Sequence, residues 1–298
     1  MTQSMYRRSL IVFFGIALPL FILIAQETPE YAQYFEKKSL RVDFSLIGNA
    51  DGQWAALEQL REEPIWSGPV KNLIDTFNYG GYYVEVYDKK TNVLIYSRGF
   101  NTLFEEWLTT EQAAKQTQSW TNSMSVPFPK QEVQLLITGR DRKSGEFGVL
   151  LTVDIDPSSI DIDKSPLPVY PVDEILLQGD SSEKVDFVFI AEGYTAEEKD
   201  KFFADARRFT ESLFKTPPFD VRKSDFNVRA VAVPSEESGT DISGNGVFKN
   251  TALNSGYYTF GIERYLTTKD MRSIKDAVAN VPCDAIYVLV NTDKYGGG

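Results

Sequence analysis

Val185-Asp-Phe-Val-Phe-Ile-Ala191, followed by Thr195-Ala-Glu-Glu198, is the stretch from which the rest of this 298-residue chain is read. The first run is short and apolar, as a largely buried strand requires. The second is a capping box, in which Thr195 accepts from first-turn N–H groups while Glu198 reaches back to the Thr195 N–H. Phe202, Phe203, Ala206, Phe209 and Leu213 then recur on one helical face until Pro217 and Pro218 stop the helix. Phe226 to Val233 supplies a second strand. Strand, helix and strand over this length imply a right-handed parallel crossover and an α/β core.

Toward the C-terminus, Pro234 to Gly261 lacks periodicity. Loops longer than ~12–15 residues are uncommon in compact domains and are usually functional or disordered. Tyr257, Tyr258 and Phe260 argue against disorder; they either pack this loop on the sheet or line a cleft. Met271, Ile274 and Val278 mark another helix, and Asp284 to Asn291 a third apolar strand, leading into Thr-Asp-Lys-Tyr-Gly-Gly-Gly298. An α/β domain builds its reactive cleft where strands run out into loops. The expectation is therefore a domain cut at its own active site.

Toward the N-terminus the period changes to two. Leu40, Val42, Phe44 and Leu46 alternate with polar residues, and Tyr83 to Tyr87 and Val93 to Tyr96 flank a turn, forming a hairpin. Ser119 to Val126, Val133 to Thr138 and Phe147 to Ile155 are further strands, with a helix over Glu111 to Thr117 capped by Thr109 or Thr110. This pattern predicts a β-sandwich domain over residues 27–157. Prolines 157, 166, 168 and 171 then stiffen an acidic linker, 158–183, before an α/β domain over 184–298 with a mixed, partly parallel sheet. Asp154, Asp156, Asp161 and Asp163 do not fit a helix-loop-helix calcium site: the sharp-turn glycine is absent, and Ser165 stands where the bidentate Glu belongs.

Arg7 and Arg8 precede an apolar run from Leu10 to Ala25, which reads as a secretory signal peptide over 1–26 and hence as export to the periplasm, cell surface or medium. The run is shorter than the ~20 residues of a membrane-spanning helix and contains Pro19; an uncleaved anchor is the weaker reading. A net charge of −11 repels phosphate backbones and sets nucleic acid aside as a partner. The chain contains no histidine and one cysteine, Cys283, which reads as a buried small hydrophobe. Ser-His-Asp and Cys-His catalysis are thereby excluded within this chain. Ser181 and Lys184 match a Ser-x-x-Lys spacing without its companion motifs. Gly296 to Gly298 lack the Lys and Ser/Thr of a phosphate loop.

Lys184-Val-Asp-Phe-Val-Phe-Ile-Ala-Glu-Gly-Tyr-Thr-Ala-Glu-Glu198, Glu237-Ser-Gly-Thr-Asp-Ile242, Asn250-Thr-Ala-Leu-Asn-Ser255, Tyr265-Leu-Thr-Thr268 and Asp284 to Gly298, in that order, resemble the IgA peptidase family of zinc metallopeptidases. The β-rich half resembles that family's N-terminal domain. The resemblance implies a zincin-like catalytic domain that hydrolyses peptide bonds, with zinc held by an H-E-x-x-H helix and a protein or peptide as substrate. Those zinc ligands are not in this sequence, so the fragment is expected to be inactive and to bind no zinc itself. An edge strand beginning at Tyr295, Gly296, Gly297 and Gly298, with Thr240 and Asp241 on the cleft rim, is what the resemblance leaves here. The rival reading is an exported adhesion or glycan-binding protein that uses Trp54, Trp66, Trp107 or Trp120 as a stacking surface, with a non-catalytic α/β half. A third is a natural inactive fragment.

Overall fold

The computed structural model describes residues 29–297. The expected signal peptide and Gly298 lie outside the described residues. In chain order the elements are α1 (Tyr31–Tyr34), β1 (Phe35–Asn49), β2 (Gly52–Glu63), β3 (Tyr82–Asp88), β4 (Val93–Phe100), α2 (Leu103–Trp107), β5 (Gln118–Pro129), β6 (Val133–Arg140), β7 (Phe147–Ile155), β8 (Ile162–Asp163), β9 (Val172–Leu176), β10 (Val185–Glu192), α3 (Lys199–Leu213), β11 (Phe226–Val231), α4 (Met271–Val278) and β12 (Ala285–Val290). They build three four-stranded sheets, ordered β5-β1-β2-β8, β4-β3-β6-β7 and β12-β10-β11-β9.

The first two sheets close over one core. Leu40, Val42, Phe44 and Leu46 of β1 share it with Val84 and Val86 of β3 and with Leu135 and Ile137 of β6, all at most 1% exposed. The expected hairpin is β3 with β4, paired antiparallel. In the third sheet β10 is central and runs parallel to both β11 and β12, while β9 adds antiparallel at the β11 edge. α3 covers one face, with Phe202 and Ala206 among Phe189, Ala191 and Val228. α4 covers the other, with Ile274, Ala277 and Val278 among Val188, Ile190 and Val231.

Several expectations change. No helix forms over Glu111 to Thr117: the nearest helix, α2, starts eight residues earlier, at Leu103, and residues 111–115 form turns. Thr102 caps α2, its hydroxyl accepting from the Glu105 N–H at 3.3 Å. The Thr109 and Thr110 hydroxyls donate back to the Glu106 and Trp107 carbonyls at the end of α2, and the Thr110 hydroxyl also accepts from the Ala113 N–H at 3.3 Å, where turns rather than a helix follow. Phe209 is 39% exposed beneath the Arg208 guanidinium, and Thr210, one residue on, takes the buried place by donating its hydroxyl to the Ala206 carbonyl. β2 was hidden from pattern reading because much of it is charged.

The segment 158–183 is largely exposed, as a connector is, but it carries two short paired strands. β8 pairs in parallel with Leu60 and Arg61 of β2, and β9 pairs with β11, so the third sheet begins at Val172 rather than near 184. Backbone pairing outweighs the proline content because the prolines fall between the paired stretches. The aspartates here serve local turns: Asp156 accepts from the Ser158 N–H and Asp163 from the Ser165 N–H, each at 2.8 Å. Trp107 and Trp120 are buried, Trp66 packs edge-on to Tyr96, and Trp54 is half exposed, so the four tryptophans make no common stacking surface.

β1 has a second buried face. Arg41 and Asp43 alternate with the core residues, yet are at most 1% exposed, because α4 lies across the sheet. The Arg41 guanidinium donates to Asp276 of α4 at 2.7 Å, to Asp43 at 3.0 Å and to Glu63 at 3.2 Å. Arg272 of α4 donates to Glu58 of β2 at 2.8 Å. Burial pushes the Glu63 carboxyl above its usual range, and Arg41 acts against that. Ser67 adds a neutral tie, accepting from the Cys283 N–H at 2.9 Å. The Cys283 thiol is pushed up to about 12 by burial, which keeps it neutral.

Replacing Arg41 with Met would leave buried Glu63 without the guanidinium it pairs with and buried Asp43 with only Arg272, 3.6 Å away. We expect a loss of about 3–5 kcal/mol, measured by urea denaturation. At α3 the Thr195 N–H donates to Glu198 at 3.0 Å and holds that carboxyl below its usual range. Its stabilisation is therefore present above the ordinary Glu value and lost as pH falls through the folded one. The stability gap between wild type and Glu198→Gln should accordingly close on acidification, as followed by thermal unfolding across pH.

Candidate functional site

β10, β11 and β12 run parallel, so their C-terminal ends open on the same side of the third sheet, the side on which α/β proteins place ligands. β10 ends in Glu192, which is fully buried although it is a carboxylate. One oxygen accepts from the Thr251 hydroxyl at 2.6 Å and the Ser255 N–H at 2.8 Å; the other accepts from the Leu253 N–H at 2.8 Å. All of these partners are neutral and all belong to the long loop after β11. At the other end of β10, buried Asp186 has a cation, the Arg229 guanidinium. Glu192 is thus a fixed anchor around which residues 251–255 are wound.

Gly193 follows, with φ +70°. A Cβ there would come within 1.8 Å of the Gly239 carbonyl oxygen, so both the conformation and the space require glycine. Its carbonyl accepts from the Gly239 N–H at 2.9 Å and the Asn291 side-chain amide at 3.0 Å, and its N–H donates to the Ser235 hydroxyl at 3.0 Å. The Asn291 amide also donates to the Ser238 hydroxyl at 3.0 Å, and Asn291 in turn accepts from the Lys201 ammonium at 2.7 Å. The exits of β10 and β12 and the start of the loop are therefore one hydrogen-bonded unit.

The residues expected on a cleft rim divide. Thr240 is 3% exposed and bonds Ser255 through its hydroxyl, which makes it an internal tie rather than a rim group. Asp241 accepts from the Lys249 N–H at 2.6 Å, and its backbone carbonyl accepts from the Tyr257 N–H at 2.9 Å, so it shapes the loop from within. Tyr295 is 82% exposed and, with Gly296 and Gly297, follows β12 outside any regular element. The Gly297 N–H donates to the Arg264 carbonyl at 3.2 Å. Gly296 lies so close to Tyr257 that a Cβ would stand 2.3 Å from its ring. The buried Tyr257 hydroxyl donates to the Lys294 carbonyl. Tyr295 to Gly297 border an open cleft of about 540 Å³ together with Glu106, Ile262, Arg264 and Tyr265. The Tyr265 hydroxyl donates to Glu106 at 2.7 Å, which raises its pKa.

Glu192, Gly193, Ser235 and Asn291 were not singled out by sequence reasoning. A signal existed for the first pair: an apolar strand that ends on Glu-Gly puts a charge where burial is expected, followed by a residue free to turn. Of the loop aromatics, Tyr257 and Phe260 pack, Phe260 lying against Trp120 with ring centroids 5.9 Å apart. Among the described residues no group of three His, Cys, Asp or Glu side chains is placed to hold a metal. The oxygens of Glu192 are filled by protein donors, and the neutral Cys283 thiol precedes the start of β12, at the end of the strand opposite the cleft.

Residues 30–148 match the family model described as Peptidase M64 N-terminus, and residues 174–298 match the model described as IgA Peptidase M64. No curated protein matches the chain.

Glu192→Gln would present an amide to N–H donors and break at least one of the three bonds. We expect a loss of about 1–3 kcal/mol and faster protease nicking within residues 236–262, read by mass spectrometry of the fragments. Gly193→Ala should cost more than about 2 kcal/mol, because left-handed strain adds to the contact with Gly239.

Proposed function

This chain belongs to the IgA peptidase M64 family, and from that premise we propose that it forms the substrate-shaping part of an exported zinc endopeptidase. The family assignment makes it a metallopeptidase by kinship. The finer reading joins a β-sandwich domain to a zincin-like catalytic domain, with peptide chains as substrate. Among the described residues no helix is long and apolar enough to cross a membrane.

The observation that carries the reading is the placement of the Tyr295–Gly297 segment. It leaves β12, the edge strand of its sheet, and borders the open cleft. A peptide laid there adds as a further strand, its backbone paired to the edge and its side chains reaching toward Glu106, Arg264 and Tyr265. Gly296 suits this role, because close packing against Tyr257 fixes the edge without a side chain of its own.

The residues present do not fit zinc. There is no histidine in the sequence, and among the described residues no three acidic or cysteine side chains are placed to hold a metal, the carboxylates around Arg41 being paired with its guanidinium. No hydrolytic step is therefore assigned to these side chains, and the metal donors of the reading are those of an H-E-x-x-H segment outside this sequence. The adhesion reading finds no support in the dispersed tryptophans.

The test is a fluorogenic peptide library combined with zinc titration. The 298-residue polypeptide should bind no stoichiometric zinc and turn over no peptide. A protein carrying the H-E-x-x-H segment should cleave, lose activity to a chelator and regain it with zinc. Turnover with bound zinc in the 298-residue polypeptide would overturn the assignment, as would a zinc-loaded protein that cleaves nothing.

A further inference from the structure

A second cavity, of about 630 Å³, lies between the first sheet and the loop that ends at α4, with Thr121, Asn254, Tyr257, Tyr258, Lys269 and Arg272 in its wall. Four charged groups face it, and three are committed. Glu58 accepts from Arg272 at 2.8 Å, and Asp270 accepts from the Ser273 N–H at 3.0 Å and the Asn254 amide at 2.8 Å. Arg272 also lies 3.6 Å from buried Asp43. Lys269 has no carboxylate or carbonyl partner among the described residues. Its ammonium rests 4.0 Å from the centre of the Trp120 ring, against an indole that is itself buried.

Lys269 is exposed, and the side of its ammonium that rests on Trp120 is partly desolvated, which lowers its pKa while leaving the charge open to an incoming anion. The wall around it is held in an uncommon backbone form. Asn254, Tyr258 and Phe260 have φ of 52°, 71° and 55°, and none is glycine. Left-handed non-glycine residues gather where the surrounding structure must aim a surface. Here Phe260 is pinned on Trp120 and Tyr265, which leaves Tyr258 facing the cavity.

We propose that this pocket binds a carboxylate carried by an extended peptide, with Lys269 as its counter-ion and Trp120 as the floor beneath that lysine. A single free ammonium matches a monoanion. A phosphate dianion would need further cations in a chain whose net charge is −11. The inference rests on the peptide-substrate reading for the nature of the ligand and gives that substrate a preference: an acidic side chain or a free C-terminal carboxylate seated beside the loop that also borders the Tyr295 cleft.

The test reads binding rather than turnover. Dye-labelled Ala-Ala-Glu-Ala-Ala blocked at both ends, its Gln counterpart blocked at both ends, and the Gln peptide with a free C-terminus are titrated against the purified chain by fluorescence anisotropy. At least one carboxylate peptide should bind about tenfold or more tighter than the blocked Gln peptide, and added salt should shrink the gap. The arm that carries the gap identifies side chain or terminus. Lys269→Met should erase the gap and Lys269→Arg should keep it; Lys269→Gln serves as the neutral variant if the Met form does not fold. Equal binding of all three peptides, no binding of any, or a gap that survives in the neutral variant overturns the proposal. None of these results bears on whether the family's peptidase chemistry is present, which the zinc and turnover assays read separately.

Discussion

A buried acidic side chain, Glu192, whose partners among the described residues are all neutral, organises the strand exits of the third sheet. Removing Glu192 from water is costly, and the cost is offset only if its lone pairs are filled by well-placed donors. Thr251, Leu253 and Ser255 supply those donors, so the loop after β11 is held in one path. Tyr257, Tyr258 and Phe260 follow directly along that path. Gly193, Ser235 and Asn291 tie the neighbouring strand exits into the same frame. A long segment without regular structure can thus be as well defined as a strand, because its order comes from polar satisfaction rather than from a ladder.

The second constraint is the double role of α4. Its apolar side completes the core of the third sheet, while Arg272 and Asp276 meet the polar face of β1 and β2. The contact between the two halves is therefore ionic and directional, centred on Arg41. An ionic contact of this kind adds little net stability compared with an apolar one, but it punishes misalignment, since a shifted helix would strand Asp43 or Glu63. The Lys269 pocket lies along this contact, with Thr121 and Glu58 from one side and the loop from the other.

Much of the strand-helix-strand unit was legible in the residues. Apolar runs with capping and proline punctuation obey local rules, and β10, α3, β11, α4 and β12 stand close to where those rules put them. The errors arose where a local signal had two outcomes. Thr109 and Thr110 carry the same hydroxyl whether they open a helix or close one, and Thr110 does both, donating back to Trp107 of α2 and accepting from the Ala113 N–H of the turns that follow. β2 and β9 lack apolar alternation and owe their strand form to neighbours far away in sequence. Of the residues expected on a cleft rim, Tyr295 to Gly297 border an open cavity, whereas Thr240 turned inward to reach Ser255.

The α/β character of the second half, the β-rich character of the first and the lack of histidine chemistry were determined by the sequence alone, because composition and short-range periodicity report them directly; family membership was carried by the resemblance of short motifs in their order along the chain. The tertiary structure decided which polar residues are buried, where the third sheet begins, which loop groups face a cavity and that Lys269 is left without an acidic partner. Those facts depend on what lies opposite each side chain. Arg41 and Lys269 look alike as basic residues in a list, yet one is enclosed by three carboxylates and the other meets an indole face. Only the folded chain brings those partners into range.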